Sequence, residues 1–117
     1  MVDVAVCLAA IIDVVESFKK PDLYFDVNVK GTYNIAKASK SIDVLIFAYS
    51  CADYGDPVKT SIDKNHPLRP RSPYAASKIS GEVYIHVFSQ INSYRPVVFR
   101  LFNVYGLNSL RHMWELL

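Results

Sequence analysis

Tyr74 and Lys78 are the two residues of this chain whose types and spacing point most directly to chemistry. Residues four apart on a helix lie on one face, so a phenol and an ammonium at this spacing can act on one proton. A free tyrosine has a pKa near ~10, which is too high for a good base at neutral pH, and a nearby ammonium favours the phenolate. The pair therefore indicates proton transfer to or from an alcohol.

A hydroxyl group from another part of the chain can complete such a site. Ser50 ends an apolar run and precedes the tyrosine–lysine pair by about two dozen residues. Its hydroxyl could hydrogen-bond the same substrate oxygen and hold it for proton transfer. The competing interpretation is structural, because a Tyr and a Lys at helical spacing are often a half-buried ring beside a solvated amine.

Strands and helices alternate along the sequence. We expect strands over 2–10, 43–50 and 95–102, helices over 13–20, 22–41 and 73–92, and a surface loop over 55–71. The continuous apolar character of the strands favours burial on both faces. Ile79, Val83, Val87 and Phe88 form an apolar stripe on the last helix, which we expect to begin at a Ser72-Pro73 cap. This order predicts an α/β fold with a parallel sheet of three main strands and helices on its faces.

Composition excludes several classes of function. The chain has 117 residues, of which 51% are hydrophobic, the size and character of one small domain. A net charge of +2 without a basic run argues against nucleic acid as a partner, and the apolar stretches are too short to span a membrane. Cys7 and Cys51 lack a CxxC spacing, which argues against a metal site and favours free thiols. The N-terminus lacks the pattern of a secretion signal, so we expect a cytoplasmic protein.

Three motifs carry a family resemblance: the segment 49–55 around Ser50, the pentad 74–78, and the segment 100–106. In this order they resemble the extended short-chain dehydrogenases/reductases of the NAD-dependent epimerase/dehydratase group, and most closely the UDP-glucose 4-epimerases. The resemblance runs from Asp3 to Gly106. It implies a partial Rossmann-like, doubly wound fold in which 1–107 is the second half of an NAD-binding domain and 108–117 is a divergent tail.

The resemblance also implies roles for single residues. Tyr74 matches the catalytic base, Lys78 the residue that holds the nicotinamide ribose and lowers the pKa of the tyrosine, Ser50 the catalytic hydroxyl, and Asn28 a helix asparagine that organises hydrogen bonds beside the cofactor. Leu8, Ala9 and Ala10 match a strand end that lies along NAD, and Phe102 matches a residue of the nicotinamide pocket. Asn103 matches a contact to the phosphates of a UDP-hexose, and Ser50, Cys51, Ala52 and Tyr74 match the sugar site.

The two residues after Ser50 distinguish between related enzyme activities. Sugar-nucleotide 4,6-dehydratases of this fold carry an acidic pair there, whereas this chain has Cys51 and Ala52. The resemblance therefore favours an epimerase, in which hydride passes from carbon 4 of the sugar to NAD and returns to the opposite face. Departures from the family are Cys7 in place of histidine, Tyr49 in place of a small residue, Asp53 in place of an apolar one, and Leu107 in place of proline. Either Tyr49 or Asp53 could disturb the strand end that presents Ser50.

The glycine-rich turn that receives a dinucleotide pyrophosphate is missing from this sequence. Its four glycines, at positions 31, 55, 81 and 106, are too far apart to form one. The first strand should then present an unpaired apolar edge, and the helices 22–41 and 73–92 correspond to those through which the family forms homodimers. Two hypotheses remain: a catalytic half that needs further segments, or a non-catalytic oligomerising fragment. A related dehydratase or reductase is a variant of the first.

Overall fold

The computed structural model describes residues 2–54 and 65–101, with Ser50, Ala52 and Asp53 by their backbone alone. The elements in chain order are β1 (Val4–Cys7), α1 (Val14–Lys19), α2 (Pro21–Tyr24), a π-helical segment (Phe25–Lys30), α3 (Gly31–Ala38), β2 (Val44–Ser50), a 3₁₀ turn (Cys51–Tyr54), α4 (Pro73–Asn92) and β3 (Arg95–Leu101). None of the described helices combines the length and the apolar character needed to cross a membrane.

The three strands form one parallel sheet in the order β1-β2-β3, which confirms the predicted α/β fold. Val4 to Cys7 pair with Val44 to Phe47, and β2 pairs with β3 over its whole length. β1 is shorter than the predicted strand 2–10 because its pairing ends at Cys7, after which the chain leaves the sheet. Among the described strands, β1 pairs with β2 on one side and has no strand on the other. This agrees with the unpaired edge expected for the first strand.

The predicted helix 22–41 is a continuous helical run from Pro21 to Ala38 whose middle is π-helical. It begins at Pro21, since proline has no N–H to lose in a first turn. It ends when Ser39 leaves helical geometry, and the Ser39 hydroxyl and amide bond the Ile35 carbonyl at 2.8 and 3.0 Å. A π-helical turn is rare and widens the helix locally. Here it contains Asn28, a residue of the candidate site.

The other two helices begin at polar caps. The Asp13 carboxylate accepts a hydrogen bond of 2.8 Å from the Glu16 amide, so Asp13 precedes α1 instead of belonging to it. The Ser72 hydroxyl accepts one of 3.0 Å from the Ala75 amide, with Pro73 at the first helical position. The expected Ser72-Pro73 start of α4 is confirmed, and so is the predicted span of that helix.

The core lies between one face of the sheet and the helices. It contains Leu45 and Phe47 of β2, Ala36 of α3, Ile85 of α4 and Tyr94, all buried. The predicted apolar stripe of α4 is correct for Ile79 and Phe88, which pack against this core. It is wrong for Val83 and Val87, which are 54% and 49% exposed. α4 instead buries small residues, among them Ser77, Gly81 and Ser89, because they let its backbone approach the sheet.

The opposite face of the sheet is open, so the expectation of strands buried on both faces is wrong for the described residues. Side chains alternate along a strand, and every second one on β1 and β3 points to this face. Val4 and Val6 are 49% and 55% exposed, and Phe99 and Leu101 are 52% and 45% exposed. We call this surface, made by Val4, Val6, Val44, Ile46, Val97, Phe99 and Leu101, the open sheet face.

Gly81 sets the distance between α4 and the layer beneath it. A Cβ atom at Gly81 would lie 3.1 Å from the Phe47 ring and 3.2 Å from the Thr32 methyl group. A Cβ atom at Gly31, by contrast, would have no neighbour within 4 Å, and the Gly31 backbone is helical with φ −58°. The two glycines therefore offer a matched pair of substitutions.

We expect Gly81→Leu to lower the free energy of unfolding by about 1–3 kcal/mol, because the new side chain forces α4 off the sheet. Gly31→Ala should raise it by about 0.5–1 kcal/mol, because alanine loses less backbone entropy in a helix. Urea unfolding of both variants measures these changes. If Gly81→Leu were as stable as the parent chain, α4 would not approach the sheet as closely as described.

Candidate functional site

The candidate site lies where the carboxyl ends of β1 and β2 meet the first turns of α4. Carboxyl ends of parallel strands share one edge of the sheet, which is where open α/β sheets bind ligands. Ser50 is the last residue of β2, and Leu8 to Ala10 follow β1. Tyr74 and Lys78 lie in the first two turns of α4. The described backbone thus places Ser50, the segment 8–10 and the first turns of α4 at this edge of the sheet.

Lys78 lies nearly buried between α4 and β2, with 5% of its surface exposed. Its ammonium donates a hydrogen bond of 2.9 Å to the Ala48 carbonyl and lies 4.2 Å from the centre of the Phe47 ring. A buried charge requires such partners, because its removal from water is costly. Ala48 is two residues before Ser50, so these contacts fix the positive charge beside the strand end that carries the serine.

Tyr74 lies one turn before Lys78 and is 7% exposed. Its ring meets the Tyr24 ring edge-on, with 6.4 Å between the centroids and an interplanar angle of 87°. The half-buried ring and solvated amine of the structural interpretation do not occur, because both side chains are buried. Such burial removes the two side chains from bulk water. In the protein interior a charge on one of them acts more strongly on the other than it would in water.

Asn28 joins the loop after β1 to α4. Its side-chain oxygen accepts a hydrogen bond from the Ile11 amide, and its side-chain nitrogen donates to the Ile11 carbonyl and to the Ser77 hydroxyl, all at 3.0 Å. Asn28 is 1% exposed, and these bonds compensate the burial of its amide. Ser77 immediately precedes Lys78, so Asn28 links the loop that contains Leu8 to Ala10 with the helix that carries the tyrosine–lysine pair.

Leu8, Ala9 and Ala10 belong to this loop, not to the strand in which the sequence placed them. Leu8 is 72% exposed and Ala9 is also exposed, while Ala10 is half-buried. The loop leaves the sheet because Asn28 holds Ile11 from the helix side. The small side chains of Ala9 and Ala10 would let a ligand approach the backbone at the carboxyl end of β1.

Tyr24 is a site residue that the sequence reasoning missed. It is completely buried, and its hydroxyl donates a hydrogen bond of 2.6 Å to the Asp13 carbonyl at the end of the same loop. Burial, together with the neighbouring Glu16 carboxylate, raises the pKa of the Tyr24 phenol, which therefore stays protonated. Tyr24 supports the Tyr74 ring through their edge-on contact. The sequence feature that could have identified Tyr24 is its position four residues before Asn28, one helical turn away.

Arg100 is a second missed residue, and it connects β3, α4 and the turn after Ser50. Its guanidinium donates to both Glu82 oxygens at 2.9 and 3.1 Å and to the Tyr54 hydroxyl at 3.3 Å. Partial burial lowers the pKa of Arg100, but the hydrogen bonds to Tyr54 and Glu82 outweigh this effect and raise the pKa overall. A permanently charged clamp thus holds the 3₁₀ turn against α4. No sequence spacing links these three residues, which are distant along the chain.

Tyr49, one of the two residues that could disturb the end of β2, packs there without breaking the strand. It is 3% exposed, and its ring packs 5.9 Å from the Phe47 ring and 5.4 Å from the Arg100 guanidinium. β2 stays paired with β3 through Ser50 and Leu101. The side chains of Ser50, Ala52 and Asp53, like the whole of Phe102 and Asn103, lie outside the described residues.

The two cysteines differ in environment. Cys7 is buried, and this burial raises the pKa of its thiol, against the opposing charge of Lys78. Cys51 is half-buried at the start of the 3₁₀ turn, and both are free thiols. Across residues 2–54 and 65–101, His, Cys, Asp and Glu side chains form no group of three or more that could hold a metal ion.

Comparison with known proteins identifies relatives over the whole chain. The sequence profile of the NAD dependent epimerase/dehydratase family matches residues 1–117. A putative UDP-glucose 4-epimerase from Methanocaldococcus jannaschii is 39% identical over 108 residues, which are 90% of this chain and 35% of the archaeal protein. The chain thus spans about a third of the length of the curated relatives it matches.

Solved structures of similar fold belong to nucleotide-sugar enzymes. The UDP-N-acetylglucosamine 4-epimerase from Methanobrevibacter ruminantium, in complex with UDP-N-acetylmuramic acid, gives a TM-score of 0.84 at 33% identity over 89% of this chain and 34% of its own. The UDP-glucose 4-epimerase from Brucella ovis, in complex with NAD, gives 0.82 at 31% identity over 86% and 32%. An NAD dependent NDP-hexosamine 5,6-dehydratase of tunicamycin biosynthesis gives 0.83 at 31% over 90% and 36%.

Asn28→Leu should release the loop after β1. The substitution keeps the size of the side chain but leaves the Ile11 amide and carbonyl without their partner, which should cost about 1–3 kcal/mol of unfolding free energy. Hydrogen exchange of the Ile11 amide should become faster, and urea unfolding should show the loss of stability.

Asn34→Leu is the matched control, since Asn34 is exposed on α3. It should leave the Ile11 amide unchanged. Equal protection of that amide in the parent chain and in Asn28→Leu would show that Asn28 does not hold the loop.

Proposed function

Because the chain belongs to the NAD dependent epimerase/dehydratase family, we propose that it is the catalytic half of a nucleotide-sugar 4-epimerase of the UDP-glucose type. The observation that carries this proposal is the burial of Lys78 against the Ala48 carbonyl, beside the strand end at Ser50 and one turn from Tyr74. An ammonium so placed serves a proton transfer at Tyr74. A merely structural lysine would more often extend to solvent.

NAD is the cofactor of this family, and the residues present fit one side of it. The accessible loop of Leu8 to Ala10 would lie along the dinucleotide, and Lys78 would bind the ribose next to the nicotinamide. NAD, when bound, takes up hydride from the sugar carbon and returns it. The pyrophosphate has no glycine-rich turn in these 117 residues, so residues from outside them would hold it.

The chain's own residues would move the proton. Tyr74 takes the proton of the sugar 4-hydroxyl as hydride leaves the same carbon, and gives it back when hydride returns. The Lys78 ammonium stabilises the phenolate by its charge. An ammonium carries three donors, so the bond to Ala48 is compatible with one to a ligand hydroxyl. Ser50, at the end of β2, would hold the substrate oxygen in place.

A dehydratase or reductase is the second candidate, because the tunicamycin dehydratase is as similar in fold as the epimerases, with a TM-score of 0.83 against 0.84 and 0.82. Elimination of water requires an acid near the sugar, and the turn after Ser50 offers Cys51 and Ala52 at the positions of the acidic pair. An epimerase is therefore the better match. Product analysis separates the two, because an epimerase returns a hexose of unchanged mass whereas a dehydratase releases water.

A cytoplasmic homodimer, with a role in galactose metabolism, completes the proposal. The outer face of α4 supports the dimer: Val83, Val87 and Ile91 are 54%, 49% and 66% exposed and lie one helical turn apart. Val87→Asp should convert a dimer into a monomer in sedimentation velocity, while Val15→Asp, at an exposed valine of α1 outside the two helices of the proposed dimer, should not. A parent chain that sediments as a monomer at all concentrations would contradict the dimer. The non-catalytic oligomerising fragment predicts the same dimer without turnover.

Catalysis is tested by grafting this chain into the M. jannaschii relative in place of the residues it matches. We expect the chimera to interconvert UDP-glucose and UDP-galactose, and Tyr74→Phe to lower kcat by about 10²–10⁴-fold through loss of the proton-transferring hydroxyl. Chromatography of the nucleotide sugars measures the turnover.

Tyr84→Phe serves as the control, because Tyr84 is a half-exposed tyrosine on the same helix. Its turnover should equal that of the unmodified chimera. A folded chimera without activity would support the non-catalytic alternative, and equal turnover in Tyr74→Phe would remove Tyr74 from the mechanism.

A further inference from the structure

Arg100 lies next to both parts of the proposed site, and the proposed chemistry does not use it. One part is the strand end at Ser50, which the 3₁₀ turn Cys51–Tyr54 follows directly. The other part is the beginning of α4, which carries Tyr74 and Lys78. The two parts belong to different segments of the chain, so the distance between them depends on tertiary contacts.

The first contact of Arg100 is with the turn that follows Ser50. In the sheet register Arg100 lies opposite Tyr49, the residue before the serine. Its guanidinium lies 5.4 Å from the centre of the Tyr49 ring and 5.6 Å from that of the Tyr54 ring, and it donates a hydrogen bond of 3.3 Å to the Tyr54 hydroxyl. Arg100 thus contacts the chain on both sides of Ser50.

The second contact of Arg100 is with the helix that carries the tyrosine–lysine pair. Glu82 lies four residues after Lys78 and eight after Tyr74, on one side of α4. Both Glu82 oxygens accept from one guanidinium nitrogen, at 2.9 and 3.1 Å, and the Glu82 and Arg100 side chains are 14% and 22% exposed. A charged pair with so little exposure is screened less than a surface pair, and the planar guanidinium holds its partners in a fixed geometry.

A separate contact ties α4 to β2 on the other side of Ser50. Lys78 donates a hydrogen bond to the carbonyl of Ala48, two residues before the serine, whereas Tyr54 lies four residues after it. The strand end is therefore tethered to α4 at two points, one on each side of Ser50. A single tether leaves the strand end free to rotate about it, and the second tether removes that freedom.

We propose that Arg100 is a positioning residue, which fixes the distance between Ser50 and Tyr74. It holds the turn after the serine through Tyr54 and holds α4 through Glu82. The inference rests on the proposed function, in which the serine and the tyrosine act on one substrate oxygen. Because a misplacement of about 1 Å can cost on the order of a hundredfold in rate, a loosened turn should slow the chemical step.

The kinetic test uses the M. jannaschii chimera and removes one hydroxyl. Tyr54→Phe keeps the ring beside Arg100, so the fold should be retained, and kcat should fall about tenfold with little change in the KM for UDP-glucose. Arg100→Lys should cause a similar loss, because a single ammonium on a flexible stem cannot hold Glu82 and Tyr54 together in the same geometry. Tyr84→Phe, which removes a half-exposed hydroxyl from α4, should keep the kcat of the unmodified chimera.

A double-mutant comparison shows whether Arg100 acts through the serine. In a Ser50→Ala chimera the turn has no serine hydroxyl left to position, so the further change Tyr54→Phe should lower kcat by less than about twofold. A merely structural role would cost the same factor in both backgrounds. Equal factors, or no loss in the Ser50 background, would overturn the inference while the epimerase activity stands.

Hydrogen exchange in the isolated chain tests the tether without turnover. The amide of residue 54 should exchange faster in Tyr54→Phe and in Arg100→Lys, while the Ser17 amide, which donates to the Asp13 carbonyl at the start of α1, should exchange as in the parent chain. Unchanged exchange at residue 54 would overturn the inference. An unmodified chimera without turnover would instead refute the proposed function, and the exchange result alone would then decide whether Arg100 positions the turn.

Discussion

A lysine ammonium buried at the end of a strand constrains much of this structure. Lys78 can lie there because the Ala48 carbonyl and the Phe47 ring receive its charge. Those contacts require α4 to approach β2 closely, and Gly81, one turn after Lys78, provides the room beside Phe47 and Thr32. The small residues on the buried side of α4 thus allow the close packing that places the Lys78 charge at the site. Val83, Val87 and Ile91 of that helix face outward, whereas Ile85 remains in the core.

The surroundings of the site are held by polar contacts from three directions. Asn28 and Tyr24 tie the loop after β1 to the helical layer through Ile11 and Asp13. Arg100 ties the turn after Ser50 to Glu82 of α4 and to Tyr54. Each contact joins elements that are distant in sequence, and together they fix loops that would otherwise move. Precise placement of a phenol and an ammonium depends on such support.

Local sequence patterns predicted the elements well and the tertiary contacts poorly. The order of strands and helices, the Ser72 cap and the span of α4 follow from short-range rules of periodicity and capping, and all are confirmed. The outward orientation of Val83 and Val87 was missed because hydrophobicity alone assigns them to the core, whereas close packing selected Gly81 and Ser77. The π-helical turn at Asn28 and the Arg100 clamp have no local signature. The assignment of Ser50, Tyr74 and Lys78 to one site comes from motif order and family resemblance, not from composition, and it stays a prediction.

The central claim is that Lys78 serves an NAD site, and cofactor affinity tests it most directly. Calorimetric titration of NAD into the grafted protein would compare Lys78→Met with Lys30→Met, whose parent lysine side chain is 62% exposed on the π-helical segment. The account predicts that Lys78→Met weakens NAD binding by about tenfold or more, ~1.4 kcal/mol, while Lys30→Met binds like the unmodified protein. Equal NAD affinity in all three folded proteins would show that the buried lysine supports the fold alone, and the proposed cofactor site would be wrong.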